Sequence, residues 1–209
     1  MPRWGAWVVA GGVLMSLACP GRAADRTPRQ VVETLNATLL DVLKDAETLG
    51  FQGRFDRLKP VIEDTFDLAF MAEKSLALRW KKLSEADRAR WIALFGDFTV
   101  ANFAANFDRY TGQTFQVLGE EPAANDTRLV RTRVVTPGAG NVDFAYRLRA
   151  NRSRWAIVDV YLKGTVSELA LRRSEYASAL ERGSFEELLH TMRGKIAHLA
   201  AGGGKREAM

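Results

Sequence analysis

Apolar positions recur with a helical period through the first half of the chain. Thr27 reads as an N-cap, Pro28 as the first helical residue, and Gln30 completes a capping box. Val31, Leu35, Thr38, Leu39, Val42 and Leu43 then form one stripe, with Gly50 as the expected stop. A second helix is expected from Phe55 to Phe66, bent or broken at Pro60, and a third from Asp67 to Trp80. Ser84, with Asp87 three residues on, opens the longest helical pattern. Trp91, Phe95 and Phe98 share one of its faces. Phe103, Phe107 and Tyr110 share another, rotated by roughly 125° at about 100° per residue. A helix patterned in this way meets more than one neighbour.

After Tyr110 the period changes to two. Thr114 to Leu118 is a short expected strand and Thr127 to Thr136 a second, with Val130, Thr132 and Val134 facing one way and Arg131 and Arg133 the other. The turn-rich run Pro137 to Asn141 leads to a third strand, Val142 to Arg149. Here Val142, Phe144, Tyr146 and Leu148 point in, and Asp143, Arg147 and Arg149 point out. A short polar loop leads to a fourth, WAIVDVYLKG from Trp155 to Gly164. Strict alternation places Ala156, Val158, Val160 and Leu162 on one face and Trp155, Ile157, Asp159 and Tyr161 on the other. Short links imply an antiparallel meander. Beyond Gly164 the helical period returns through Val166, Leu169, Leu171, Tyr176 and Leu180, and Gly183 stops it. Ser184 and Glu187 form a capping box for a last helix, Phe185 to Leu199. The order of elements is that of an α+β domain: a four-stranded antiparallel sheet with helices packed around it.

The carboxylate in the fourth strand can be placed. The apolar faces of strands three and four must coincide, which restricts the register to every second offset. A loop of Arg152 to Arg154 with Asn151 opposite Trp155 sets Tyr146 opposite Val160 and Arg147 opposite Asp159. Arg147 and Asp159 are therefore expected to form a cross-strand ion pair, a structural rather than a chemical role.

Composition adds the compartment. Trp4 to Ala18 carries no charge, follows Arg3, and is short for a bilayer span. Ala23 and Gly21 stand where a signal peptidase reads small residues. Residues 1–23 are thus expected to be a cleaved secretory signal peptide, with a retained N-terminal anchor as the alternative. Ser16-Leu17-Ala18 is a poor lipoprotein signal before Cys19. Cleavage removes the only cysteine, so the remaining chain has neither thiol nor disulfide and depends on its core. It also removes two arginines from a formal charge of +5, leaving a mildly basic protein. That balance suits an anionic membrane surface or an acidic partner, and nucleic acid is no natural partner for an exported chain. At 209 residues and 47% hydrophobic, the rest makes one domain, 24–199, followed by a glycine-rich tail, 200–209, expected to be disordered.

Catalytic signatures are missing. His190 and His198 lie on the last helix without a carboxylate–histidine motif, and no spacing suits zinc. Gly138-Ala139-Gly140 precedes a strand rather than a helix, so it is a turn and not a phosphate cradle. No serine has the setting of a hydrolase elbow. Neither an enzyme activity nor a cofactor or metal is expected. What the chain supplies in quantity is aromatic surface: Phe66, Phe70, Phe98, Phe103, Phe107, Tyr110, Phe115, Phe144, Tyr146, Trp155 and Tyr161. These residues either fill a core or line an apolar cavity that binds a ligand.

The run WAIVDVYLKGTVSELALRRSEYASAL resembles the strand-then-helix signature of the toluene-tolerance, or MlaC-like, family of periplasmic lipid-binding proteins. LSEADRARWIALFGDFTVANFAANFDRYTG and FDRLKPVIEDTFDLAFMAEKSLALRWKKL are similar to the regions that precede it, so the resemblance covers Val31 to Leu199. DVYLKGTVSELALRRSEY is most similar to the hopanoid-associated HpnM branch. The resemblance implies a monomeric periplasmic carrier whose curved sheet and helices enclose an apolar cavity. Such a carrier holds a phospholipid or a hopanoid lipid and exchanges it with inner-membrane transporter components and an outer-membrane lipoprotein complex. It implies the eleven aromatic residues as cavity candidates. A non-enzymatic accessory protein of a hopanoid-synthesis or ABC-transporter complex is the alternative. Burying a lipid tail gains about 0.8 kcal/mol per CH₂, so binding of this kind needs little polar chemistry.

Overall fold

The computed structural model describes residues 26–151, 154–163 and 165–203. The expected signal peptide, Cys19, Gly164 and residues 204–209 lie outside them. Helix α1, Pro28–Lys44, begins at the expected capping box: the Thr27 hydroxyl accepts from the Gln30 amide at 3.2 Å, and the Gln30 side chain accepts from the Thr27 amide at 2.9 Å. It ends at Asp45 rather than Gly50. Gly50, at φ +57°, is a kink within α2, Ala46–Thr65, a conformation that costs glycine little. Pro60 does not break α2; it sits at an exposed position of the helix.

The third helix is shorter than its pattern. α3 is Leu68–Leu76, and a 3₁₀ turn, Ala77–Lys82, follows it. The break falls at Ala77, whose φ of +48° and ψ of −125° no helix allows. α4, Glu85–Asn106, starts on the Ser84 cap and ends before Tyr110. Tyr110 is therefore not on the aromatic face assigned to it but in a loop, 41% exposed. α5, Glu168–Arg182, and α6, Phe185–Ala200, close the chain, the latter on its expected capping box.

Among the described residues the sheet has five strands, not four, in the order of the chain: β1 Thr114–Ala123, β2 Thr127–Thr136, β3 Gly140–Asn151, β4 Arg154–Leu162 and β5 Val166–Ser167. All neighbours are antiparallel. The two-residue β5 leaves no mark in the sequence pattern, because Val166 also fits the helical period of α5.

The β3–β4 register places Tyr146 opposite Val160 and Arg147 opposite Asp159, as expected, but by a different route. The hairpin closes with Asn151 opposite Arg154, and a bulge at Val158 restores the offset. A bulge exchanges the faces of a strand. On one side of it Trp155 and Ile157 face the core; on the other Val160 and Leu162 do, joining Phe144, Tyr146 and Leu148 of β3. The two alternating sets read from the sequence are thus each split in half.

Asp159 does not pair with Arg147. Its carboxylate, in a side chain only 7% exposed, accepts from the Ser167 hydroxyl at 2.6 Å, the Val160 amide at 2.8 Å and the Leu169 amide at 3.1 Å. Ser167 in turn caps α5 by accepting from the Ala170 amide. Asp159 therefore ties β4 to the start of α5, where helix N–H groups have no partner of their own. The Arg147 guanidinium lies instead over the Tyr161 ring, 5.3 Å from its centroid. The outer arginines next to it are paired: Arg131 with Glu121 and Arg133 with Asp143, whose carboxyl the Arg133 hydrogen bond holds below its ordinary range.

The apolar sheet face meets α1, which lies against β1, β2 and β4; α2 packs beside α1, α4 on α2, and α6 on α4. Within the helical layer the fully buried Trp91 donates its indole N–H to the Ala72 carbonyl and the Ser75 hydroxyl, at 3.1 and 3.2 Å. It also meets Tyr176 edge-on at 5.0 Å, joining α3, α4 and α5.

Two outcomes are expected. Ala77→Gly relieves a left-handed alanine and raises the urea-unfolding free energy by about 1 kcal/mol, the relief exceeding the added chain entropy. Asp159→Ala strands three donors and lowers it by about 2–4 kcal/mol, whereas Arg147→Ala, losing a stacking contact only, lowers it by about 1 kcal/mol or less. Equal losses for the last two would contradict the capping role of Asp159.

Candidate lipid-binding interior

The interior lies between the apolar sheet face and α1, α2 and α4, and an aromatic series runs through it. The Phe66 ring, at the end of α2, meets Phe103 of α4 edge-on at 5.8 Å. Phe103 stacks on Phe107 at 5.9 Å, and Phe107 on Phe115 of β1 at 6.0 Å. The series is built by the helix period bringing Phe103 and Phe107 to one side, and by the chain turning directly from α4 into β1. Phe144 and Tyr146 of β3 and Trp155 of β4 share the sheet face opposite. Burial pushes the Tyr146 phenol well above its usual range.

The other candidates are elsewhere. Phe98 is buried at the far side of α4, with the Arg172 guanidinium 4.7 Å over its ring. Phe70 carries the Arg149 guanidinium at 3.9 Å, Tyr161 is on the outer sheet face under Arg147, and Tyr110 is exposed. The aromatic residues that come together are thus Phe66, Phe103, Phe107, Phe115, Phe144, Tyr146 and Trp155, closely packed with the aliphatic core around Leu35, Leu39, Ile62 and Ile157.

The two sides of this interior are built differently. On the β4 side the joint is polar and tight. The Asp67 amide donates to the Ile157 carbonyl at 2.9 Å, and Phe66 bridges to Ile157 as a parallel partner. The Asp67 carboxylate caps α3 through the Phe70 amide and accepts from Arg149 at 2.8 Å and Asn151 at 2.9 Å. On the β1 side, among the described residues, no hydrogen bond joins α1 to β1 or β2. A groove of about 240 Å³ opens there, floored by Ala37, Leu40, Phe115 and Val117 and rimmed by the Arg29–Glu33 ion pair. Phe115, the last ring of the aromatic series, reaches this groove.

Two polar side chains are buried beside it without partners. Asn36 of α1 is 6% exposed and lines the groove, yet its Oδ1 accepts no hydrogen bond. Thr132 of β2, opposite Val117, is 1% exposed and its hydroxyl is likewise unpaired. Each such group costs about 1–3 kcal/mol in a closed core. The sequence pattern puts Thr132 on the inward face; Asn36 is not among the candidates, and its place between Val32 and Leu39 at helical spacing is the signal for it. A second groove, about 300 Å³, lies between α2 and the ends of α4 and α6, and Arg54 in it is committed to the Ala46 and Ala104 carbonyls. It contains none of the candidate aromatic residues.

The comparisons with known proteins bear on this geometry. A solved structure of a phospholipid-binding protein from Ralstonia solanacearum, in complex with a phospholipid, superposes with a TM-score of 0.73 over 84% of this chain and 99% of that one, at 18% identity. At that identity the likeness establishes the fold. The model of the MlaC protein family matches residues 33–194, from α1 into α6, which is most of the chain. This protein belongs to the MlaC family.

Proposed function

We propose that the protein is a periplasmic lipid carrier that holds acyl chains, or the ring system of a hopanoid, between the apolar sheet face and the α1–α2–α4 layer. The observation that carries this reading is the groove at the α1–β1 seam, lined by the unpaired Asn36, with the unpaired Thr132 opposite Val117 beside it and the aromatic series leading inward from Phe115. A core built for stability alone would place leucine at these two positions, since an orphaned buried acceptor costs more than it returns. An amphiphile with a polar ester or hydroxyl at the seam and its apolar part along Phe107, Phe103 and Phe66 would satisfy both kinds of surface. The phospholipid complex of the structural neighbour and the membership of the MlaC family support the same reading.

The carrier role extends to shuttling between an inner-membrane transporter and an outer-membrane complex, with export by residues 1–23. Phospholipid and hopanoid remain the two cargo classes. Acid–base chemistry on the lipid is disfavoured by the use of Asp159, since its carboxylate is occupied by three donors.

Native mass spectrometry of protein recovered from the periplasm is expected to show a lipid adduct, and delipidated protein is expected to take lipid up again from micelles. Protein that is always ligand-free and takes up none would sink the proposal. Asn36→Leu separates cargo from core: it is expected to raise stability by about 1–2 kcal/mol while slowing lipid uptake. Loss of stability in that variant would mean that Asn36 serves the closed fold instead.

A further inference from the structure

We propose that the 3₁₀ turn after α3 is a contact surface for an anionic lipid bilayer, with Leu78 as its inserting tip. The surface is independent of what the interior holds. The backbone at Ala77 turns the chain out of α3, and Leu78 emerges 78% exposed, well beyond the other exposed large hydrophobics, which lie between 41% and 50%. Arg79, Lys81 and Lys82 are exposed around it, and Trp80 is half-buried. From Leu76 to Ser84 the chain carries three cations and no acid, while Lys74 before it is paired with Glu73. Among the described residues Arg79, Lys81 and Lys82 have no carboxylate partner, unlike Arg131, Arg133 and Arg149 of the sheet.

The turn is held from beneath. The Arg88 guanidinium stacks over the Trp80 ring at 5.5 Å and donates to the Trp80 and Lys81 carbonyls, each at 3.3 Å, while the Leu83 amide donates to the Trp80 carbonyl at 3.2 Å. An apolar tip on a pinned turn, ringed by unpaired cations and a tryptophan, matches the layered chemistry of a bilayer surface. Headgroups meet the cations, the indole sits at their level, and the leucine enters the acyl boundary. An acidic protein would satisfy the cations but would not use a lone projecting leucine. The patch is also far smaller than the roughly 20–30 residues a side of a stable protein interface. Basic residues near an anionic surface each contribute about fivefold in partitioning, so three give about a hundredfold. Burying the leucine gives a further tenfold or so.

Flotation of the full chain with phosphatidylcholine vesicles, containing or lacking phosphatidylglycerol, tests this. Wild type is expected to float with the anionic vesicles and to be released by high salt. The triple variant Arg79→Gln, Lys81→Gln, Lys82→Gln is expected to partition about a hundredfold less, with an unchanged melting curve because these side chains are exposed. Both proteins carry the same apolar N-terminal segment. Vesicle binding through that segment would be equal in the two, and equal flotation would overturn the proposal. In a Cys19→Ser background, a polarity-sensitive dye on Leu78→Cys is expected to shift to the blue on anionic vesicles alone. A dye that stays in water while binding still falls with the charges would show a contact by cations only, and would overturn insertion of the leucine. Binding to an acidic protein with none to vesicles would do the same.

Discussion

The arrangement of the two layers rests on a buried carboxylate at one edge of the sheet. Asp67 follows α2 and precedes α3, and it serves both. Its amide extends the β4 ladder at Ile157, its carboxylate caps α3, and the same carboxylate anchors Arg149 and Asn151 of β3. An acid so placed is stable because both of its oxygens are answered, one of them by a cation. It fixes the angle at which the helical layer leaves the sheet. Phe66, the residue before it, starts the aromatic series from that fixed point.

Because that joint takes the directional bonds, the opposite seam is left to shape alone. α1 rests on the sheet through Leu40, Ala37, Phe115 and Val117, with Asn36 unpaired among them and Thr132 unpaired opposite Val117. Contacts of this kind are non-directional and can be exchanged for contacts with an acyl chain at little cost, whereas a hydrogen-bonded ladder cannot. The asymmetry therefore assigns the two edges different roles: the Asp67 edge keeps the layers together, and the α1–β1 edge is where an apolar molecule could replace protein surface.

Much of this was legible in the residues, for identifiable reasons. Capping boxes at Thr27 and Ser184 are local hydrogen-bond patterns and appear wherever the residues allow them. The alternation in β2 and β3 is enforced by one wet and one dry face, so it survives into the structure. The bulge at Val158 was not legible, because valine is accepted on either face and its extra position leaves no mark in composition. Its effect was large: it moved Ile157 and Trp155 to the core side and freed Asp159 for α5. The Arg147–Asp159 pairing was right as register and wrong as chemistry, since a capping site with three donors outcompetes a solvent-side arginine. Tyr110 was misplaced because a helix ends where its backbone does, and α4 stops at Asn106. Seven of the eleven aromatic candidates meet in the interior; Phe70 and Tyr161, which do not, are under arginines. Aromatic content alone cannot distinguish a ring that packs against apolar neighbours from one that carries a guanidinium.

Among the described residues, the distribution of buried polar groups follows the joints of the fold. Asp67, Asp159 and Arg54 are the buried charged residues among those described, and each is engaged in a joint: layer to sheet, β4 to α5, and Arg54 to backbone carbonyls. Among the described residues, the buried side-chain atoms without a partner are the Asn36 amide oxygen, the Thr132 and Tyr176 hydroxyls and the Nε of Arg147 and Arg149; the two nearest the α1–β1 seam, those of Asn36 and Thr132, can hold a neutral polar group but cannot drive proton transfer at neutral pH. An interior of this kind selects by shape and by apolar length. Under the carrier reading, discrimination between lipids then depends on how a chain or ring system fits between Phe66, Phe103, Phe107 and the sheet, while charge recognition is left to the exterior.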